Sequence, residues 1–171
     1  MKCSSRPPTM DDLIARFDAV MPDFSGLMGA HPRPTDASLK RIITQLGISL
    51  PQGLVEFARK SERFSSHFLS LGENYDEPTH ILFRNRQWHR RRRKASRLPK
   101  HLVIITEGFM EADFDCIDKA SPNSDGTDYV IQIWCPLFGR PAKGGAGARH
   151  ASFATYIESV VDWASIGYGG S

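Results

Sequence analysis

Residues 34–61 read PTDASLKRIITQLGISLPQGLVEFARKS, two helices joined by a sharp corner. Thr35 or Asp36 can cap the first helix, because a side-chain oxygen there accepts from N–H groups that the first turn leaves unpaired. Leu39, Ile42, Ile43 and Leu46 recur at the spacing of one apolar helix face. Gly47 stands where that helix would end in a left-handed residue. Ile48 and Leu50 alternate across a short extended link, and Pro51 opens the second helix at a position whose N–H has no partner to lose. Leu54, Val55, Phe57 and Ala58 supply the second apolar stripe.

Before this pair, residues 1–8 (MKCSSRPP) read as a loose tail. Thr9 caps an expected helix to about Val20, with Asp11 and Asp12 in its first turn, where negative charge suits the helix dipole. Met10, Leu13, Ile14, Phe17 and Val20 form its apolar face. Pro22, Gly26, Gly29, Pro32 and Pro34 mark a linker or an irregular wrap. Beyond the pair, Phe68 and Leu69 suggest a short strand, and residues 79–94 read as helix, with Ile81, Leu82, Phe83 and Trp88 among Arg and Gln. Residues 102–106 (LVIIT) predict a central strand buried on both faces. Residues 112–117 alternate Phe114 and Cys116 against Asp113 and Asp115, an apolar and an acidic face. Residues 121–126 (SPNSDG) are a turn. Residues 129–135 give the next strand, with Tyr129, Ile131, Ile133 and Cys135 on one face and Val130, Gln132 and Trp134 on the other. After a glycine-rich basic loop at 139–150, Ser152 caps a final helix to about Ala164, with Phe153, Tyr156, Ile157, Val160 and Val161 as its packed stripe. Residues 166–171 are a glycine-rich tail.

The phrase Leu46-Gly47-Ile48-Ser49-Leu50-Pro51, followed by Leu54-Val55-Glu56-Phe57, resembles the N-terminal signature of the SUKH superfamily, a helix, an LG-x-x-LP corner, and a helix carrying an aromatic residue. The second half follows in the same order: Leu98-Pro99, the strand at 102–106, Phe114-Asp115-Cys116-Ile117-Asp118, Asp125-Gly126, the strand from Tyr129 to Trp134, and the last helix. The likeness runs collinearly from residue 34 to residue 164, leaving the first helix outside it. The family's usual Asn-Gly-Gly after the second helix is replaced by Glu62-Arg63-Phe64. The superfamily includes fungal regulators of cell-wall assembly and bacterial immunity proteins that neutralise polymorphic toxins. The resemblance implies a non-catalytic immunity protein that binds a cognate toxin, such as a nuclease, and occludes its active site. A regulatory interaction scaffold is the runner-up it implies.

Composition agrees with a soluble globular chain: 171 residues, 40% hydrophobic and 24% charged. No apolar run is long enough to suggest a membrane span, and the N-terminus lacks the apolar core of a secretory signal, so a cytoplasmic location is expected. Cys3, Cys116 and Cys135 are odd in number and widely spaced, which argues against a disulfide framework or a structural zinc site and fits a reducing compartment. The net charge of +3 is local: Arg90 to Arg93 and Lys94 form one run, and the rest of the chain is slightly acidic. With Trp88 and His89 before it, that run could hold a phosphate backbone, but one basic run is a weak electrostatic footprint for nucleic acid, and docking an acidic protein surface is the better use. Gly144-Gly145-Ala146-Gly147 fits no phosphate-loop pattern and reads as a flexible connection.

Glu107, Glu111, Asp113, Asp115 and Asp118 invite a divalent-metal reading, but no histidine or paired carboxylate motif completes it. The six histidines are scattered, and no nucleophile, base and orienter lie together in sequence, although such residues need meet only in space. These patterns lead to one α+β domain over residues 34–165, a mixed and mainly antiparallel sheet packed by helices, preceded by a tail, helix and linker at 1–33 and followed by the tail at 166–171. No cofactor, metal or catalytic residue is assigned. The expected partner surface is an acidic strand face of Asp113, Asp115 and Asp118, with Trp134 and Trp88, steering association with a basic toxin. A small hydrolase or nucleic-acid enzyme using residues 90–94 is the rival from another class.

Overall fold

A computed structural model of the chain describes residues 7–22, 32–91, 97–106, 113–124, 126–137, 139–141 and 149–168. Thr9 caps helix α1 (Met10–Val20) in a reciprocal box with Asp12, and Thr35 does the same with Ser38 for α2 (Asp36–Leu46). Gly47 then takes the left-handed conformation at φ 67°, with its N–H on the Ile43 carbonyl. Pro51 stands just before α3 (Gln52–Lys60), at its N-cap position and without a side-chain capping bond. The corner is fastened to the sheet at the far end of a hairpin: Gln52 N donates to Thr127 O, and the Ser49 and Tyr129 hydroxyls lie 2.8 Å apart. Helix α4 (Ile81–His89) follows, shorter than the expected 79–94, with His80 Nδ1 capping Leu82 N. The last helix, α5 (Phe153–Tyr168), has the expected Ser152 at its start, Ser152 Oγ accepting from Thr155 N, while both Asp128 oxygens accept from Phe153 N. It runs into the stretch expected to be a tail.

Strands β1 (Leu102–Ile104), β2 (Phe114–Pro122), β3 (Tyr129–Cys135), β4 (Arg140–Pro141) and β5 (Arg149–His150) form one antiparallel sheet in the order β1-β2-β3-β4, with β5 also on β3. β2 runs five residues past the expected Ile117, so the turn is displaced along the chain, with Gly126 N donating to Asn123 O and Asn123 N to Asp128 O. Phe68 makes one isolated antiparallel bridge to Thr106 and no longer strand. The glycine run at 144–147 and Glu107, Glu111, Cys3, Arg92, Arg93 and Lys94 lie outside the described residues.

One expectation is overturned in detail. The 102–106 run is buried on both faces, but β1 ends the sheet and is not central. Its free edge is closed by a side chain. Asn85 of α4, 1% exposed, donates from Nδ2 to Ile104 O at 3.0 Å and accepts from Ile104 N at Oδ1 at 2.9 Å. Leu69 N covers Ile105 O at 2.9 Å. An edge strand so covered keeps its ladder groups paired and offers no template to another chain.

α1 belongs to the same core as the rest. Phe17 is fully buried and meets Phe57 edge-on at 4.9 Å, and Asp18 accepts from Glu62 N and Arg63 N at 3.0 and 3.1 Å. Those two N–H groups follow the end of α3, so the first helix closes the turn after it. No helix among the described residues is long and apolar enough to cross a membrane.

Candidate functional site

Four residues remote in sequence meet where β2, the end of β1, the turn after α3 and the face of α5 converge. The link between β1 and β2 is irregular there: Ile105 N and Thr106 N both point to Asp115 O, at 2.9 and 3.4 Å. Two residues against one is the pattern of a β-bulge, which re-aims a side chain. It carries the Thr106 hydroxyl to Asp115 Oδ2 at 2.6 Å. The Tyr156 hydroxyl of α5 donates to the same oxygen at 2.6 Å. With its one proton committed, that hydroxyl accepts from His67 Nε2, 2.7 Å away, which fixes the imidazole as the Nε2–H tautomer. His67 lies 3.9 Å from Asp115 and stacks near Tyr156, while His150 meets Tyr156 from the sheet side at 5.4 Å between ring centres.

Burial sets the protonation states. It lowers the His67 pKa from its ordinary value, and the Asp115 charge opposes this only in part, so the ring is neutral. Burial raises the Tyr156 phenol well above its ordinary value, and the charge of Asp115 and the hydrogen bond given to it add to the rise. Cys116 is pushed up by burial, then by Asp115 and Asp118, which leaves an inert thiol. The result is a donor chain, His67 to Tyr156 to Asp115, joined by Thr106. Every proton in it is already spoken for, and the chemistry it favours is that of a tie between layers.

Sequence reasoning missed this meeting. Tyr156 is 41 residues from Asp115 and 89 from His67, and Tyr156 reads only as one more apolar position on its helix. No local signal joins them; the bulge that turns Thr106 toward Asp115 is a tertiary feature.

The acidic face expected for partner docking is broken up. β1 and β2 pair Leu102 with Asp118 and Ile104 with Cys116, so Asp118 shares the face of Phe114 and Cys116, opposite to Asp115. Asp118 is buried and takes up Ala120 N and Ser121 Oγ, both at 3.0 Å. Asp115 is 18% exposed within the cluster, and only Asp113 is open to solvent. Trp134 is 7% and Trp88 1% exposed. Trp88 packs on Phe114 with ring centres 4.5 Å apart and carries the Arg91 guanidinium on its face, so it offers no indole to a nucleic-acid base. Both tryptophans are core residues because the sheet needs apolar bulk there, and neither presents a docking surface. Among the described residues no group of three His, Cys, Asp or Glu side chains is arranged to hold a metal ion.

No family model and no curated protein matches the chain. Among solved structures it is similar to a protein from Pseudomonas syringae pv. tomato, at a TM-score of 0.59 and 14% identity, over 89% of this chain and 98% of that one. At that identity the likeness shows a shared fold alone.

Proposed function

We propose that this chain is a binding protein without chemistry of its own and, following its resemblance to the SUKH superfamily, that it is an immunity protein that neutralises a bacterial toxin by covering it. The observation that carries the binding reading is on α5. Trp163 and Ile166, three residues apart and so neighbours on one helix face, leave 63% and 84% of their surface exposed. An exposed Trp beside an exposed aliphatic residue is the composition of an interface anchor, since buried aromatics carry much of the energy at protein contacts. The inward commitment of Asp115 supports the same reading, because it removes the best-placed carboxylate from catalysis. Asp113 keeps the electrostatic role first given to the whole strand face.

The test starts from the protein encoded beside this chain. At equimolar ratio the chain should suppress that protein's toxicity, and Trp163→Ala should weaken the complex at least tenfold while leaving thermal unfolding unchanged. Asp113→Lys should slow association with a basic partner. Turnover of a substrate by the chain alone, abolished by Asp115→Asn, would refute the reading.

A further inference from the structure

A second feature lies away from the cluster. Between α2, α4 and the β1–β2 edge the chain forms a cleft of about 430 Å³. We propose that this cleft binds a small molecule of nucleotide size through its phosphate groups.

The sequence builds the cleft from three separate places. Arg86 and His89 of α4 and its C-cap residue Arg90 stand at i, i+3 and i+4, so they lie on one side of the helix. Lys119 is two residues on from Ile117, and Ile117 pairs with Val103, so Lys119 and Val103 share a sheet face. Lys100 enters from the turn before β1. Arg86, Arg90, Lys100 and Lys119 all line the cleft, and no carboxylate is in its wall among the described residues. Arg86 is partly committed, donating to Leu82 O and Tyr75 O at 3.2 and 3.3 Å and lying 3.6 Å from the exposed Asp76 carboxylate. Arg90, Lys100 and Lys119 have no acidic partner among the described residues. The depressed pKa of His89, due first to burial and raised in part by the Leu98 carbonyl, is lowered further by Lys119 and Lys100, in keeping with their closeness.

Cations of one sign around a concave, low-dielectric wall focus a field that an anion relieves. The floor is apolar, made by Leu46, Leu82 and Val103, with Gln45 as a neutral polar group. A volume of this order suits a small organic ligand with one apolar part and a few charged groups. Three cations without an acidic partner, Arg90, Lys100 and Lys119, call for more than one negative charge, and the arginine fork fits phosphate oxygens. A nucleic-acid strand is the poorer fit: single-strand grooves present large aromatic faces to the bases, the described cleft lining has no Phe, Tyr or Trp, and nearby Trp88 is buried.

Isothermal titration of the full chain with pyrophosphate and with ATP at about 0.1 M salt tests the assignment. Saturable one-to-one binding of either probe is expected, with Lys100→Gln/Lys119→Gln weakening it at least tenfold. Arg90→Gln, an exposed position, should weaken it several-fold and serves should the double variant fail to fold. Absence of saturation at millimolar probe would overturn the assignment, as would binding unaffected by all three substitutions. Tighter capture of a single-stranded oligonucleotide, with an affinity falling steeply in salt, would overturn it in favour of nucleic acid.

Discussion

Replacing Asp115 with alanine is the sharpest test of the buried cluster. Asp115 Oδ2 is the shared acceptor of the Thr106 and Tyr156 hydroxyls, each at 2.6 Å, and Tyr156 is 2% exposed. Truncation leaves both donors without a partner. An unpaired buried donor costs about 1–3 kcal/mol. Thr106 can turn to another acceptor and the 18% exposure of Asp115 lets water approach, so a loss of about 3 kcal/mol is expected. For a domain of this size that lowers Tm by about 6–12 °C. Asp115→Asn keeps one carbonyl oxygen where Oδ2 stood and loses only the assistance of the charge, about 1 kcal/mol. Urea unfolding of both variants, with Tyr156→Phe and the double variant Asp115→Ala/Tyr156→Phe, closes a cycle. The two sites should couple by about 1 kcal/mol or more. The reasoning fails if Asp115→Ala lies within about 0.5 kcal/mol of the wild type, or if the cycle is additive within that margin.

Three further outcomes are expected. Asn85→Leu keeps the apolar bulk of α4 but orphans Ile104 N–H and C=O, so it should cost about 2–4 kcal/mol and raise aggregation through the opened β1 edge, read by urea unfolding and light scattering. Gly47→Ala has free space around its Cβ, yet φ is +67°, so unfolding should show a loss of about 1 kcal/mol, and Gly47→Asn less. Acid should also weaken the fold: His67 and His89 are both held below their ordinary value of 6.5 by burial, so the unfolded chain takes up these protons first as pH falls. Stability is therefore full above about pH 6.5 and declines below it by at most about 1.4 kcal/mol per pH unit for each histidine, and His67→Gln, which keeps a donor toward Tyr156, should flatten the decline in thermal scans between pH 7.5 and 5.

The helices and the β3 strand were legible because their signals are local. Thr9, Thr35 and Gly47 act on groups within four residues of themselves, and each does in space what its place in sequence implies. The rank of β1 in the sheet was not legible. A strand buried on both faces reads as central, since in most sheets only a neighbouring strand can pair both of its edges. Here a side chain from α4 and the backbone of residue 69 do that work, and nothing in LVIIT records it. The cluster was illegible for the same reason, because Asp115, Thr106, Tyr156 and His67 owe their meeting to a bulge and to helix docking.

Charge on β2 shows how far the period of a strand carries an inference. Alternation places Asp113 and Asp115 on one face and Asp118 on the other, and the register of β2 sets Asp115 on the face opposite to Asp118. What alternation leaves open is which face meets solvent, since that depends on what the rest of the chain packs there. α5 covers Asp115 and gives it a phenol, and Asp118 closes on its own turn. Lys119, four residues past Asp115 and on the same face, lies beyond that cover and opens into the cleft beside α4. One strand face thus holds a carboxylate whose charge is consumed internally and a lysine whose charge is not. The charge left to the outside beside α4 is positive, opposite to the sign first read from the strand, while Asp113 keeps that sign at the other end of the face. A partner that approaches this side of the sheet meets Lys119, Lys100 and Arg90, so reversing Lys119 to Glu should affect anion binding in the cleft and leave association through Trp163 unchanged. Loss of both together would show that the two surfaces are one.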